Sequence, residues 1–216
     1  MAGFGTRYSL LPPVVKTLLI ANGLMFLAEL SYAEPLITAL ALWPIDPSVV
    51  PAGVPQPHFQ LPQLLTYAFL HGSPMHLLLN MYALWLFGGR MENVWGSRAF
   101  TVYYLVCIVG AGLVQLLVTS LGASQGDTLY PTIGASGGVF GLLLAFGLSF
   151  PNEVLMLVFP PVALKAKWFV ILYGIVELWA GVSGTQAGVA HFAHLGGMFF
   201  GLLMMLYWRG RPPGIR

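Results

Sequence analysis

The chain has 216 residues, of which 57% are hydrophobic and only 7% charged, with a net charge of +2; a soluble domain carries roughly 25% charged residues, so a soluble fold is excluded. Nine basic residues spread over that length cannot form the dense stripe that nucleic-acid binding requires, and nucleic acid is excluded as a partner. The single cysteine, Cys107, lies in an apolar run, where it reads as a small core or lipid-facing residue and permits neither an intramolecular disulfide nor a thiolate metal site.

Apolar segments near the roughly 20 residues of a membrane-crossing helix fall at about 15–35, 74–90, 99–121, 134–150, 167–183 and 188–208. They predict an all-α membrane protein, a bundle of six transmembrane helices over 15–208, preceded by a cytoplasmic segment 1–14 and followed by a cytoplasmic tail 209–216. The first run is too long for a signal-peptide core and lacks a small-residue cleavage site, so it reads as a retained helix. Between spans one and two lies a long loop carrying Pro44, Pro47, Pro51, Pro55, Pro57 and Pro62, too apolar for a solvated linker and expected at the membrane interface. Its stretch Pro35 to Trp43 is apolar enough to extend the first helix.

Charge tests the span count independently, because short cytoplasmic loops carry the excess of Lys and Arg. Arg7 and Lys16 precede span one, Arg90 and Arg98 separate spans two and three, Lys165 and Lys167 separate four and five, and Arg209, Arg211 and Arg216 follow span six. The opposite loops, 37–73, 122–133 and 184–187, hold no Lys or Arg and only the acids Asp46 and Asp127. Both termini are therefore expected on the cytoplasmic side. Trp168, Tyr207 and Trp208 fit an aromatic belt at span ends.

With that topology, spans two, four and six begin in the same outer layer, and the rare polar residues sit there: His71, Ser73, His76 and Asn80; Gly134 to Gly138 around Ser136; His191 and His194. Polar groups inside a bilayer are expensive, and a cluster at one depth on three helices points to function. Taken singly, His76 or Asn80 serves equally as interhelical glue. The Gly134-Ala-Ser-Gly-Gly138 string can arise by chance among 26 glycines, and a nucleophile elbow needs a strand and sheet that six helices exclude. Packing is more specific. Gly137 with Gly141, and Gly197 with Gly201, are small-x-x-x-small pairs that let helices approach and bring Ser136 towards His194. A histidine beside a serine hydroxyl acts as its general base, and helix-start N–H groups with donors from His76 and Asn80 suit an oxyanion.

Four strings then carry a resemblance over most of the chain: Leu65 to His71 leading to His76 and Asn80; Gly88 to Glu92 with Trp95-Gly-Ser97; Gly134-Ala-Ser136-Gly; and Ala193-His194-Leu-Gly-Gly197 with Gly201. In this order they resemble the rhomboid family of intramembrane serine proteases. The resemblance implies a six-helix rhomboid-like bundle in which Ser136 is the nucleophile and His194 its base, working as a dyad through an acyl-enzyme. It implies that His76, Asn80 and the backbone around Gly134, Ala135 and Ser136 form the oxyanion and substrate-binding set. It gives Glu92 a structural role, bracing the first loop and its junction with span three. It places Phe140 where some relatives carry a tyrosine that stacks on the catalytic histidine. His191, one turn before His194, is the alternative base and is otherwise expected to line a watery entrance. No metal and no cofactor are implied, and the expected partners are single-span transmembrane substrates and the lipid bilayer of a bacterial or archaeal cell membrane. An oligomeric state is not readable.

The other acids have structural readings. Glu177, inside span five, should pair with another helix or reach water. Glu29 and Glu34 should be solvated or brace the loop, and His58 should be exposed. Three rival readings are weaker: an inactive client binder, against which both Ser136 and His194 argue; a transporter, for which internal symmetry is lacking; and a His76, His191, His194 metal site, for which the His-Glu-x-x-His string is absent.

Overall fold

The computed structural model describes residues 8–45, 57–124, 130–156, 161–184 and 189–208. Arg7, Asp46, Pro47, Pro51, Pro55, Asp127, residues 185–188 and the basic tail from Arg209 lie outside those residues.

Helix α1 (Pro13–Leu40) opens on a proline, whose missing N–H is no loss at a first helical position. The next two N–H groups, of Val14 and Val15, donate to the two oxygens of Glu92 at 2.9 and 2.8 Å. Glu92 also accepts from the Ser97 hydroxyl at 2.6 Å. It therefore braces the junction with the third predicted span as expected, but its other partner is the start of α1 rather than the first loop. A carboxylate there satisfies orphan donors and faces the positive end of the helix. At the far end, Tyr32 leaves helical geometry (φ −132°, ψ 35°) three residues before Pro35. A proline ring collides with the preceding turn and removes one ladder bond, which accounts for the kink. The helix resumes to Leu40, so the apolar stretch after Pro35 does extend it.

The loop after α1 contains the one-turn helix α2 (Gln63–Thr66), continued by a 3-10 turn at Tyr67–Phe69. Thr66 Oγ1 donates to the Leu40 carbonyl at 2.7 Å and Gln63 Nε2 to that of Ala39 at 3.3 Å, tying the loop to the end of α1. Helix α3 (Pro74–Ala83), a π-helical turn (Leu84–Gly88) and α4 (Gly89–Trp95) then run on until Gly96, at φ 79°. The second predicted span thus continues past residue 90. Helices α5 (Ser97–Ser124), α6 (Ser136–Ser149), α7 (Ala166–Ser183) and α8 (His191–Tyr207) complete the helical set. Between α6 and α7, β1 (Val154–Met156) pairs antiparallel with β2 (Ala163–Lys165). The chain is mostly helical, and this pair is a short exception within it; three-residue strands are too short to carry a readable period.

By length and composition, α1, α5 over Ser97–Gly122 and α7 are each able to cross a membrane, while α6 and α8 are apolar but shorter. At 14 and 17 residues, α6 and α8 measure about 21 and 26 Å against a hydrocarbon core of about 30 Å.

Helix α6 lies at the centre and is buried on every side from Gly137 to Gly147 apart from Leu144. It meets α8 backbone to backbone: a Cβ placed on Gly197 would collide with the Gly137 carbonyl, and one on Gly141 would lie 3.1 Å from the Gly197 carbonyl oxygen and strike Cys107 Sγ. Helix α5 closes the other side, with the Tyr103 hydroxyl donating to the Gly141 carbonyl at 2.8 Å. Cys107 is a fully buried core residue. Trp168 and Tyr207 are exposed at helix ends, as a belt requires, but Trp208 is buried edge-on against Trp95 with ring centroids 5.9 Å apart.

Candidate active site

The segment before α6 is irregular yet fully tied down. Thr132 exchanges backbone hydrogen bonds of 2.9 and 3.0 Å with Leu42, and the Gly134 N–H donates to the Tyr67 carbonyl at 2.9 Å. Gly134 takes φ 123°, a conformation that L side chains avoid, and a Cβ there would stand 2.8 Å from His76 Cε1. Ala135, fully buried, is the N-cap of α6 and its carbonyl accepts from Val139 N–H at 3.1 Å. Ser136 follows as the first helical residue. Its N–H has no acceptor within the helix and lies at the positive end of the helix dipole.

Helix α8 delivers the partner. The glycine seam holds α8 against α6, and His194 Nε2 lies 2.9 Å from Ser136 Oγ. Phe140, one turn further along α6, stacks on the His194 ring with centroids 4.1 Å apart and planes 5° apart. The phenyl ring thus takes the stacking place foreseen for it. Tyr173 stacks behind Phe140 at 5.2 Å and Phe169 behind Tyr173 at 5.5 Å.

Helix α3 carries His76 and Asn80 on one face, four residues apart. Ser73 caps the helix by accepting from His76 N–H at 3.1 Å, an N-cap contribution of about 1 kcal/mol. The Gly72 N–H donates to His76 Nδ1 at 3.4 Å, which assigns the ring proton to Nε2. That nitrogen lies 2.9 Å from the point above Gly134 whose distance to Ser136 Oγ is 3.7 Å. His76 Nε2 and Ser136 Oγ therefore both border the space over Gly134. Asn80 is buried and donates one amide hydrogen to the His76 carbonyl at 2.9 Å, bracing the same turn.

His71 lies just before this helix, with its ring centroid 5.0 Å from that of His76. Burial, and secondarily the neighbouring His76, push its pKa down to about 4, so it is neutral at physiological pH. Its backbone N–H donates to both oxygens of Glu29 at 3.0 and 3.2 Å. Glu29 thus braces the loop, while Glu34 and His58 are exposed, as expected.

Two expectations change. His191 does not line an open entrance: it is 6% exposed, and its Nδ1 lies 2.7 Å from Glu177 Oε2. Glu177 does pair with another helix, but with more than a structural neighbour, because the same oxygen lies 2.8 Å from His194 Nδ1. The sequence held a signal for this. Glu177 stands 11 residues into α7, about 17 Å along it, in the layer where α8 begins if the two helices run antiparallel. It also shares a face with Phe169 and Tyr173 at four-residue spacing. The donor atoms of Glu177, His191 and His194 lie within 4.8 Å of one another, a set able to reach one cation. Separations of 2.7 and 2.8 Å are hydrogen-bond lengths, however, whereas ligands around tetrahedral zinc stand roughly 3.3 Å apart. The geometry suits shared protons.

Residues 58–211 match the family described as the Rhomboid domain. The chain is 30% identical over 167 residues to the human presenilin-associated rhomboid-like protein, mitochondrial, covering 72% of this chain and 41% of that protein. It is 32% identical over 141 residues to Rhomboid protein 1, mitochondrial, of Saccharomyces cerevisiae, covering 65% of this chain and 40% of the yeast protein. Against RHOMBOID-like protein 4 of Arabidopsis thaliana it is 34% identical over 152 residues, covering 69% and 34%. The chain thus spans about two fifths or less of the length of these relatives.

Proposed function

The chain belongs to the rhomboid family of integral membrane proteins, and on that premise we propose that it is an intramembrane serine endopeptidase with Ser136 as nucleophile and His194 as base. The observation that carries the reading is the 2.9 Å separation of Ser136 Oγ and His194 Nε2 at the start of two closely packed helices. In the proposed reaction the Ser136 hydroxyl gives its proton to His194 Nε2 as Oγ attacks a scissile carbonyl. The carbonyl oxygen gains charge beside the Ser136 N–H, the His76 Nε2–H and Asn80, where Gly134 and Ala135 leave room for the substrate backbone. His194 returns the proton to the leaving amine, giving an acyl-enzyme. Water, deprotonated by His194, then attacks the acyl carbon, and His194 returns that proton to Ser136 Oγ as the acyl–Oγ bond breaks and the carboxylic acid product leaves.

The proposal includes six membrane spans: α1, the continuous α3 to α4 stretch, α5, α6, α7 and α8, as one protease domain over 15–208 between short flanking segments. The basic residues then share one side with both termini, in a bacterial or archaeal cell membrane. The short α6 and α8 support it, because a helix that begins below the membrane surface leaves a depression through which water reaches Ser136. Irregular backbone at such depth is tolerated only where protein satisfies it, as Thr132 and Gly134 are satisfied here. The substrates proposed are single-span transmembrane proteins, cut where their helix unwinds, with no cofactor required.

The test is cleavage of a single-span reporter by purified protein in detergent, together with fluorophosphonate labelling. Wild type should cut and label; Ser136→Ala should lose both, and His194→Ala should lose at least about 10³-fold in kcat. A folded wild type that neither cuts nor labels would replace this reading with a non-proteolytic client binder.

A further inference from the structure

Glu177 is the one carboxylate buried among the described residues of α7, and it is not idle. It is 6% exposed, and its Oε2 sits between two imidazoles, 2.8 Å from His194 Nδ1 and 2.7 Å from His191 Nδ1. A carboxylate has only acceptors, so both nitrogens donate. For His194 this fixes the tautomer: the proton is on Nδ1 and the lone pair of Nε2 faces Ser136 Oγ at 2.9 Å. That is the only neutral form of the ring able to accept the serine proton. The alternative tautomer would point an N–H at the hydroxyl and leave no base. Phe140 holds the plane of the ring, stacked 5° from parallel, but stacking is blind to which nitrogen carries hydrogen. Only the partner of Nδ1 decides that.

Resting on the reading above, we propose that Glu177 is a positioning residue that makes Ser136, His194 and Glu177 a three-membered hydrogen-bonded chain, with His191 clamping the carboxylate. When His194 takes the serine proton, the imidazolium forms in a buried place with a carboxylate already in contact, which offsets the cost of a lone charge there. His191 holds the carboxylate oxygen from the preceding turn of α8, and its Nε2 finds no partner among the described residues. Two N–H donors on one oxygen leave the Glu177 side chain a single orientation.

The experiment compares Glu177→Gln and Glu177→Asp with wild type, reading kcat and KM separately on the transmembrane reporter and checking folding by thermal unfolding. Glu177→Gln should lower kcat by roughly 10²- to 10⁴-fold, since an amide can donate to Nδ1 and impose the wrong tautomer. KM should change by only a few-fold, and Glu177→Asp should recover part of the loss. A folded Glu177→Gln with wild-type kcat would overturn the proposal. Against the possibility that the variants do not fold, ¹⁵N-histidine NMR of wild type in detergent reads the tautomer directly, the His194 signal being identified by its loss in His194→Asn. An Nδ1–H resting form supports the proposal and an Nε2–H resting form sinks it. This readout does not depend on proteolysis, so a wild type that cuts nothing would reject the protease reading alone.

Discussion

Helices α6 and α7 both border the ring of His194, and they are built in opposite ways. Helix α6 is apolar on all sides and buried on nearly all of them, with glycines where α8 and α5 press closest. Helix α7 is also largely apolar, yet its buried residues form one narrow stripe, Ala166, Val170, Glu177 and Ala180, while Ile171, Leu172, Ile175, Val176, Leu178 and Trp179 face outward. In water the outward face would be a severe liability; in lipid it costs nothing. The difference teaches that Ser136 rides on a helix fixed by backbone contact, whereas Glu177 rides on a helix held along one narrow stripe.

The comparison can be broken most decisively at the α6 to α8 seam. Gly197→Ala puts a methyl group onto the Gly137 carbonyl, and backbone cannot swing aside as a side chain can. We expect a loss at the upper end of the overpacking range, about 3 kcal/mol, seen as a large fall in Tm in detergent with loss of activity. Wild-type stability in this variant would mean that the helices do not meet through backbone. Where the two helices touch, Phe140→Leu removes the ring between Tyr173 and His194. Such a pair is worth about 0.5–1.5 kcal/mol, so kcat should fall by a few-fold to about tenfold and Tm by about 2–4 °C per kcal/mol lost. An unchanged kcat would show that the stack does not hold the histidine.

A gentler test uses pH at the loop end of the bundle. His71 is neutral when folded, with its pKa pushed down to about 4 from 6.5. Between those values the unfolded chain binds a proton that the folded one does not, so stability is full above about pH 6.5 and declines as pH falls towards 4. Tm measured over that window should slope downwards with acid, and less steeply in His71→Leu; equal slopes would remove His71 as the cause. The smallest effect is expected on α7. A Cβ on Gly174 would meet only Met198 at 3.5 Å, ordinary contact, so Gly174→Ala should be neutral or up to about 1 kcal/mol stabilising through helix propensity. A marked loss there would show α7 to be packed as tightly as α6.

Much of this architecture is legible in the chain. Hydrophobic runs place the long helices within a few residues, and the i, i+4 glycine pairs of α6 and α8 announce the helices that meet. The pairing of Ser136 with His194 follows from those glycines. What was not legible is equally particular. The short β1 and β2 strands carry no period. Glu92 reaches back to the start of α1, 77 and 78 residues away in sequence, and no local rule foretells such a partner. His191 reads as lining a watery entrance because spacing gives the face of a helix but not what stands opposite.

The sequence by itself determined that this is a membrane protein, which segments are helical, and which few polar residues share a layer, because burying polar groups in lipid is so costly that their placement is rarely incidental. Only the tertiary structure decided that one oxygen of Glu177 sits between His191 and His194. That depends on the rotation of α7 against α8 by a few tens of degrees, which composition and periodicity leave free and which packing sets.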